Sequence, residues 1–150
     1  MRHIICLLFV ILLIACNRPL KRNNEITKVE LARSGAWSDF GAAISIDSSL
    51  NYKYYNGNTR KYFTGKITEG FWDTLNIKLE KIKYKIVDTT DNSNIVDANY
   101  FELIIHWKNH RRRIVRAHGL QPDSTLNFML WLNDGCKNVK VHRVNYPIQF

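Results

Sequence analysis

The feature that most constrains the fold of this chain is a change of hydrophobic period at Thr68. Before it, apolar and polar residues alternate. In residues 26–34 Val29 and Leu31 fall on one side and Lys28 and Glu30 on the other; in residues 42–47 Ala42, Ile44 and Ile46 alternate with Ala43, Ser45 and Asp47. A period of two fits a half-buried strand, because successive side chains point to opposite faces. Residues 35–41 break the pattern, and Asp47-Ser48-Ser49 turns the chain. Residues 51–55 are aromatic and β-prone, Asn56-Gly57 is the strongest hairpin signal, and residues 60–64 continue as the partner strand. The first half therefore reads as a four-stranded meander.

From Thr68 the apolar residues Phe71, Leu75, Leu79 and Ile82 recur at intervals of four, four and three, with Trp72 beside them, which is one face of an amphipathic helix. Thr68 is the natural N-cap, Glu69 sits in the first turn, and Lys78 and Lys81 sit in the last, as a helix dipole favours. Residues 87–97 carry Asp88, Asp91, Asn92, Ser93, Asn94 and Asp97 without periodicity and read as a loop. They lack the ligand alternation and central Gly of a calcium loop, and Asx-turn chemistry explains them. Residues 100–107 form a strand with Phe101, Leu103, Ile105 and Trp107 on one face, and a turn near Asn109-His110 returns the chain through residues 111–117. Residues 123–133, with Leu126, Met129, Leu130 and Leu132, read as a second helix stopped by Gly135. In residues 137–150, Val139 and Val141 alternate with Lys140 and His142, the pattern of an edge strand ended by Pro147. The expected fold is a single α+β domain over residues 26–136, an antiparallel sheet of about five to seven strands with two helices packed on one face, and residues 137–150 as an extension.

Upstream, Met1-Arg2-His3 is followed by an apolar run over residues 4–14, too short to span a bilayer and right for a secretory signal. The run closes on Leu13-Ile14-Ala15-Cys16, which resembles the bacterial lipobox, where the cysteine is acylated and becomes the first residue. That resemblance implies a signal peptide over residues 1–15, lipidation at Cys16, and a polar, cationic tether over residues 16–25 containing Pro19. Removal of the signal takes away one base, Arg2, and leaves 21 basic and 13 acidic side chains, a balance of +8. Such a charge favours anionic lipid, acidic polysaccharide or nucleic acid through the same long-range attraction. Export argues against nucleic acid. Arg18, Lys21 and Arg22 would lie by the head groups, and Asn17 lacks the acidic character that retains some lipoproteins, so the expected location is the outer membrane, facing the periplasm.

Residues 26–132 resemble a family of uncharacterised envelope lipoprotein domains. The resemblance is carried by the run from Lys28-Val29-Glu30-Leu31 through Ala32-Arg33-Ser34-Gly35, then Ile44-Ser45-Ile46-Asp47, Tyr55-Asn56-Gly57, Phe63-Thr64-Gly65-Lys66-Ile67 and the helix near Phe71. Family members often follow Arg-Ser-Gly with two cysteines bracketing a Gly, then Pro; here Ala36-Trp37-Ser38-Asp39-Phe40-Gly41 stands instead, so the family's thiol chemistry in that loop is absent. The resemblance implies fold and location and carries no activity.

Cys136 is the one cysteine after the lipobox, and a catalytic pair with His142 would need a thiol of lowered pKa beside an imidazole, for which the spacing gives no ground. His106, His110 and His118 bracket the second hairpin, but its register does not converge them on a metal, so no metal or cofactor is expected. Tyr52, Tyr54, Tyr55, Tyr62 and Phe63 either stack on sugar rings or pack beneath a helix, packing being the more frequent outcome. The sharpest surface feature is Lys108, Arg111, Arg112, Arg113 and Arg116, a candidate clamp for carboxylates, phosphates or sulfates. Arg112 and Arg116 should share one strand face with Ile114, and Arg111 and Arg113 the other with Val115. The competing explanation is an edge strand kept from pairing by its charge. The expected function is a lipid-anchored, non-catalytic binding or structural module of the cell envelope. Alternatives are an accessory or inhibitor subunit that reads an acidic envelope partner through residues 108–116, and a periplasmic enzyme.

Overall fold

Val29 and Leu31 set the architecture, because each is flanked on both sides by an apolar residue of a different strand. Val29 lies between Ile46 and Ile105, and Leu31 between Ile44 and Leu103. All six are buried. The computed structural model describes residues 25–35, 38–89, 99–118 and 122–150. The signal segment, Cys16, the tether as far as residue 24, Ala36 and Trp37, and Asp91, Asn92, Ser93, Asn94 and Asp97 lie outside the described residues.

The strands are β1 (Ile26–Gly35), β2 (Ser38–Asp47), β3 (Asn51–Asn56), β4 (Lys61–Lys66), β5 (Asn99–Trp107), β6 (His110–His118) and β7 (Val141–Val144). They form one antiparallel sheet in the order β6-β5-β1-β2-β3-β4-β7. With α1 (Glu69–Lys81) and α2 (Ser124–Gly135) this is an α+β fold that is mostly sheet. The expected edge strand near the C-terminus is present as β7, which pairs with β4. One core cluster joins the apolar side of the sheet to Trp72, Leu75 and Leu79 of α1 and to Leu126, Phe128, Met129 and Leu132 of α2. Among the described residues no helix is long and apolar enough to cross a membrane.

Both helices begin where local chemistry says they should. The Thr68 hydroxyl accepts from the Phe71 N–H at 3.2 Å, and the Asp123 carboxylate accepts from the Leu126 N–H at 2.6 Å. Their ends are less local. Gly135 is the last residue of α2, with φ of −60°, and the chain runs on into a short 3-10 helix at Cys136–Asn138 rather than stopping there. A Cβ at that position would stand 2.9 Å from the ring of Phe71, which would have to shift to admit it.

Three turns differ from expectation. β2 starts at Ser38, so most of the expected break over residues 35–41 is strand, with a register shift in β1 between Arg33 and Gly35. The hairpin at Asn56-Gly57 closes through a four-residue loop, with Asn56 paired to Lys61. Its Asn56 side chain accepts from the Thr59 N–H at 3.1 Å, and Gly57 is required by close approach, since a Cβ there would lie 2.1 Å from the Gly41 carbonyl oxygen. The β5–β6 turn is Lys108-Asn109, one residue earlier than expected, with Lys108 at a φ of 49°.

Candidate functional site

The basic run lies on β6, at one edge of the sheet, and strand alternation divides it as expected. Arg112 and Arg116 pair in register with the core-facing Ile105 and Phe101, while Arg111 and Arg113 pair with His106 and Ile104 on the opposite face. A single clamp made of all five cations is therefore not assembled.

On the core side the guanidinium groups hold the chain's own backbone. Arg112 donates to the carbonyl of Lys85 at 2.8 Å and to that of Val87. Arg116 donates to the carbonyls of Val115 and Asp88 at 2.7 and 2.9 Å, and to the Asp123 carboxylate at 2.8 Å. A planar fork of five donors suits this task, since one side chain satisfies several acceptors in the connection that follows α1. Burial alone would raise the Asp123 pKa, but the Leu126 N–H and Arg116 outweigh it and hold the carboxyl below its usual range.

On the other face Arg113 makes a bidentate pair with Glu102, at 2.6 and 2.7 Å, which lowers the Glu102 pKa. Lys108 meets Glu25 at 3.1 Å, and Lys85 meets the same carboxylate at 2.7 Å. Arg111 differs from the rest: its side chain makes no hydrogen bond or ion pair with a described residue and acts on Glu102 only through space. The positive run is thus largely neutralised by acids and carbonyls distant in sequence.

The histidines are dispersed. His106 Nε2 meets Glu30 at 2.7 Å, His142 Nε2 meets the Thr64 hydroxyl at 2.8 Å, and the His110 ring lies 5.7 Å from that of Trp107. The side chain of His118 lies outside the described residues. Among the described residues no group of three His, Cys, Asp or Glu is placed to hold a metal ion. Glu30 also receives Lys28 at 2.6 Å; burial works to raise its pKa, and Lys28 with His106 outweighs it, so the carboxyl is held low.

Cys136 is buried beside Tyr52, on the face of the sheet away from His142; burial pushes the thiol pKa up to about 12 and raises that of Tyr52. A thiol so protonated is a poor nucleophile. The aromatic hairpin is two-sided: Tyr54 stacks on Phe63 at 5.7 Å on the core side, and Tyr55 lies over Tyr62 at 4.9 Å on the other.

A feature that the charge pattern conceals is a cleft of about 320 Å³ between the core side of the sheet and the segment after α2, bordered by Arg33, Tyr54 and Val139. Its cue in the sequence is Arg33 itself, which occupies the next core-facing position after Val29 and Leu31. No family model, no curated protein and no solved structure matches the chain.

Proposed function

We propose that the chain is a lipid-anchored protein of the cell envelope whose folded part is a non-catalytic binding or structural module. The observation that carries this reading is Leu13-Ile14-Ala15-Cys16 at the end of a short apolar run that follows a cationic start. Acyl chains on Cys16 supply the attachment, at about 0.8 kcal/mol per buried methylene. The nine residues from 17 to 25 then reach about 30 Å when extended, enough for the domain to stand off the bilayer. Asn17 lacks the acidic character that retains some lipoproteins, which favours an outer-membrane anchor with the domain in the periplasm.

The binding reading draws support from the sheet. Strand alternation puts Lys28, Glu102, His106, Arg111 and Arg113 on the face opposite Val29, Leu31 and Ile105, and two helices packed on the apolar face would leave that polar surface open. An acidic partner that meets this surface competes with Glu30, Glu102 and Glu25 for their cations, so Arg111, which has no hydrogen bond or ion pair with a described residue, is the group it would engage first.

Cells expressing the chain and fed a fatty-acid analogue should label the wild type and not Cys16→Ala. Label that persists in the variant overturns the anchor.

A further inference from the structure

We propose that the cleft beside Arg33 binds a small monocarboxylate with a flat apolar body. Its floor is Ile44 and Tyr54, on the core side of β2 and β3, and its walls are Val139 and Val141, which come after the 3-10 helix. At about 320 Å³ it has the size of a small-molecule site, for which ~300–1,000 Å³ is usual. Tyr54 makes that floor aromatic and is held in place by its stack on Phe63.

The polar groups decide the ligand's chemistry. Inside the cleft Tyr52 and Cys136 are buried side by side and the Asn133 amide donates to Asp134 at 3.3 Å, so the apolar part of a ligand packs on Ile44, Tyr54, Val139 and Val141. At the border, Lys137 is held by Asp134 at 2.6 Å. Arg33 is exposed and makes no hydrogen bond or ion pair with a described residue. One uncommitted guanidinium balances one negative charge, and its fork matches the two oxygens of a carboxylate better than a lone point charge does. A dianion such as a phosphate monoester would leave a charge over, or would have to take Lys137 from Asp134. The arrangement thus selects a single carboxylate at the mouth and a planar hydrocarbon within.

The proposal gives the binding module a ligand and does not depend on the anchor, so its failure would leave acyl labelling of Cys16 unchanged. The test uses the full chain in nanodiscs of zwitterionic lipid, with 2-naphthoate as probe and 2-naphthamide as its neutral counterpart. Naphthoate should shift the methyl signals of Ile44, Val139 and Val141 and bind about tenfold tighter than the amide. Arg33→Gln, an exposed change that leaves the fold intact, should abolish that preference, and Ala42→Phe, which fills the cleft from its floor, should weaken both probes. Equal affinity for acid and amide in the wild type, a preference that survives Arg33→Gln, or shifts confined to other methyls would each overturn the proposal.

Discussion

At the scale of single residues the molecule is governed by which charges are already paired. Glu30 is the most enclosed of the paired acids, its side chain 12% exposed between Lys28 and His106. Its pKa lies below the ordinary 4.5, so its contribution is fully present above the unfolded-state pKa and is lost as pH falls through the lower folded value. Glu30→Gln should therefore cost about 1 kcal/mol near neutral pH, and the gap to wild type should close below about pH 4.5 in urea titrations. A gap that stays constant into acid would mean the carboxylate is not what Lys28 and His106 stabilise. None of this was legible from the sequence. His106 lies 76 positions from Glu30, and the run 108–116 gives no hint that Arg113 will find Glu102 or that Arg112 and Arg116 will be spent on carbonyls of residues 85–88 and 115. A charge run reveals its own sign; its compensation is a property of the folded sheet.

At the scale of elements, what is encoded locally was readable and what depends on a neighbour was not. Thr68 and Asp123 cap their helices because each competes only with its own next three residues. Asp123→Ala should lower stability by about 1–2 kcal/mol, since it removes the cap and the Arg116 pair together. Asp123→Asn keeps the capping oxygen and should cost less than about half of that; equal losses in thermal melts would assign the effect to the ion pair alone. By contrast, Asn56-Gly57 marked the hairpin and the gap between residues 55 and 60 gave its length, but the loop is residues 57–60, and nothing local shows that the backbone of Gly41 leaves no room for a side chain at Gly57. Gly135 does end α2, but the close approach of the Phe71 ring, an element away, was not readable from its own neighbours. The alternation of Val29, Leu31, Ile44 and Ile46 was correct in phase because one face of the sheet is dry, which fixes register strongly. Arg33, the exception in that phase on β1, borders the cleft on that side of the sheet.

For the whole molecule, the sheet order has an effect on how the chain reaches its native state. β1 is drawn into the interior of the sheet by β2, its immediate successor, and by β5, which begins at Asn99. Pairings of such separation must meet the entropy of loop closure before their contacts form. Leu103→Ala, at a fully buried position of β5 beside Leu31, should cost about 2–5 kcal/mol and slow refolding if that pairing belongs to the rate-limiting step. A loss that appears only as faster unfolding in stopped-flow traces would place the pairing after it. The same topology bears on synthesis. A chain that emerges N-terminus first presents β1 to β4 while the β5 side of β1 is still bare, with Val29 and Leu31 only half enclosed. Until β5 arrives, that meander is a sticky ribbon with a vacant edge, and a holding chaperone would find its natural grip there.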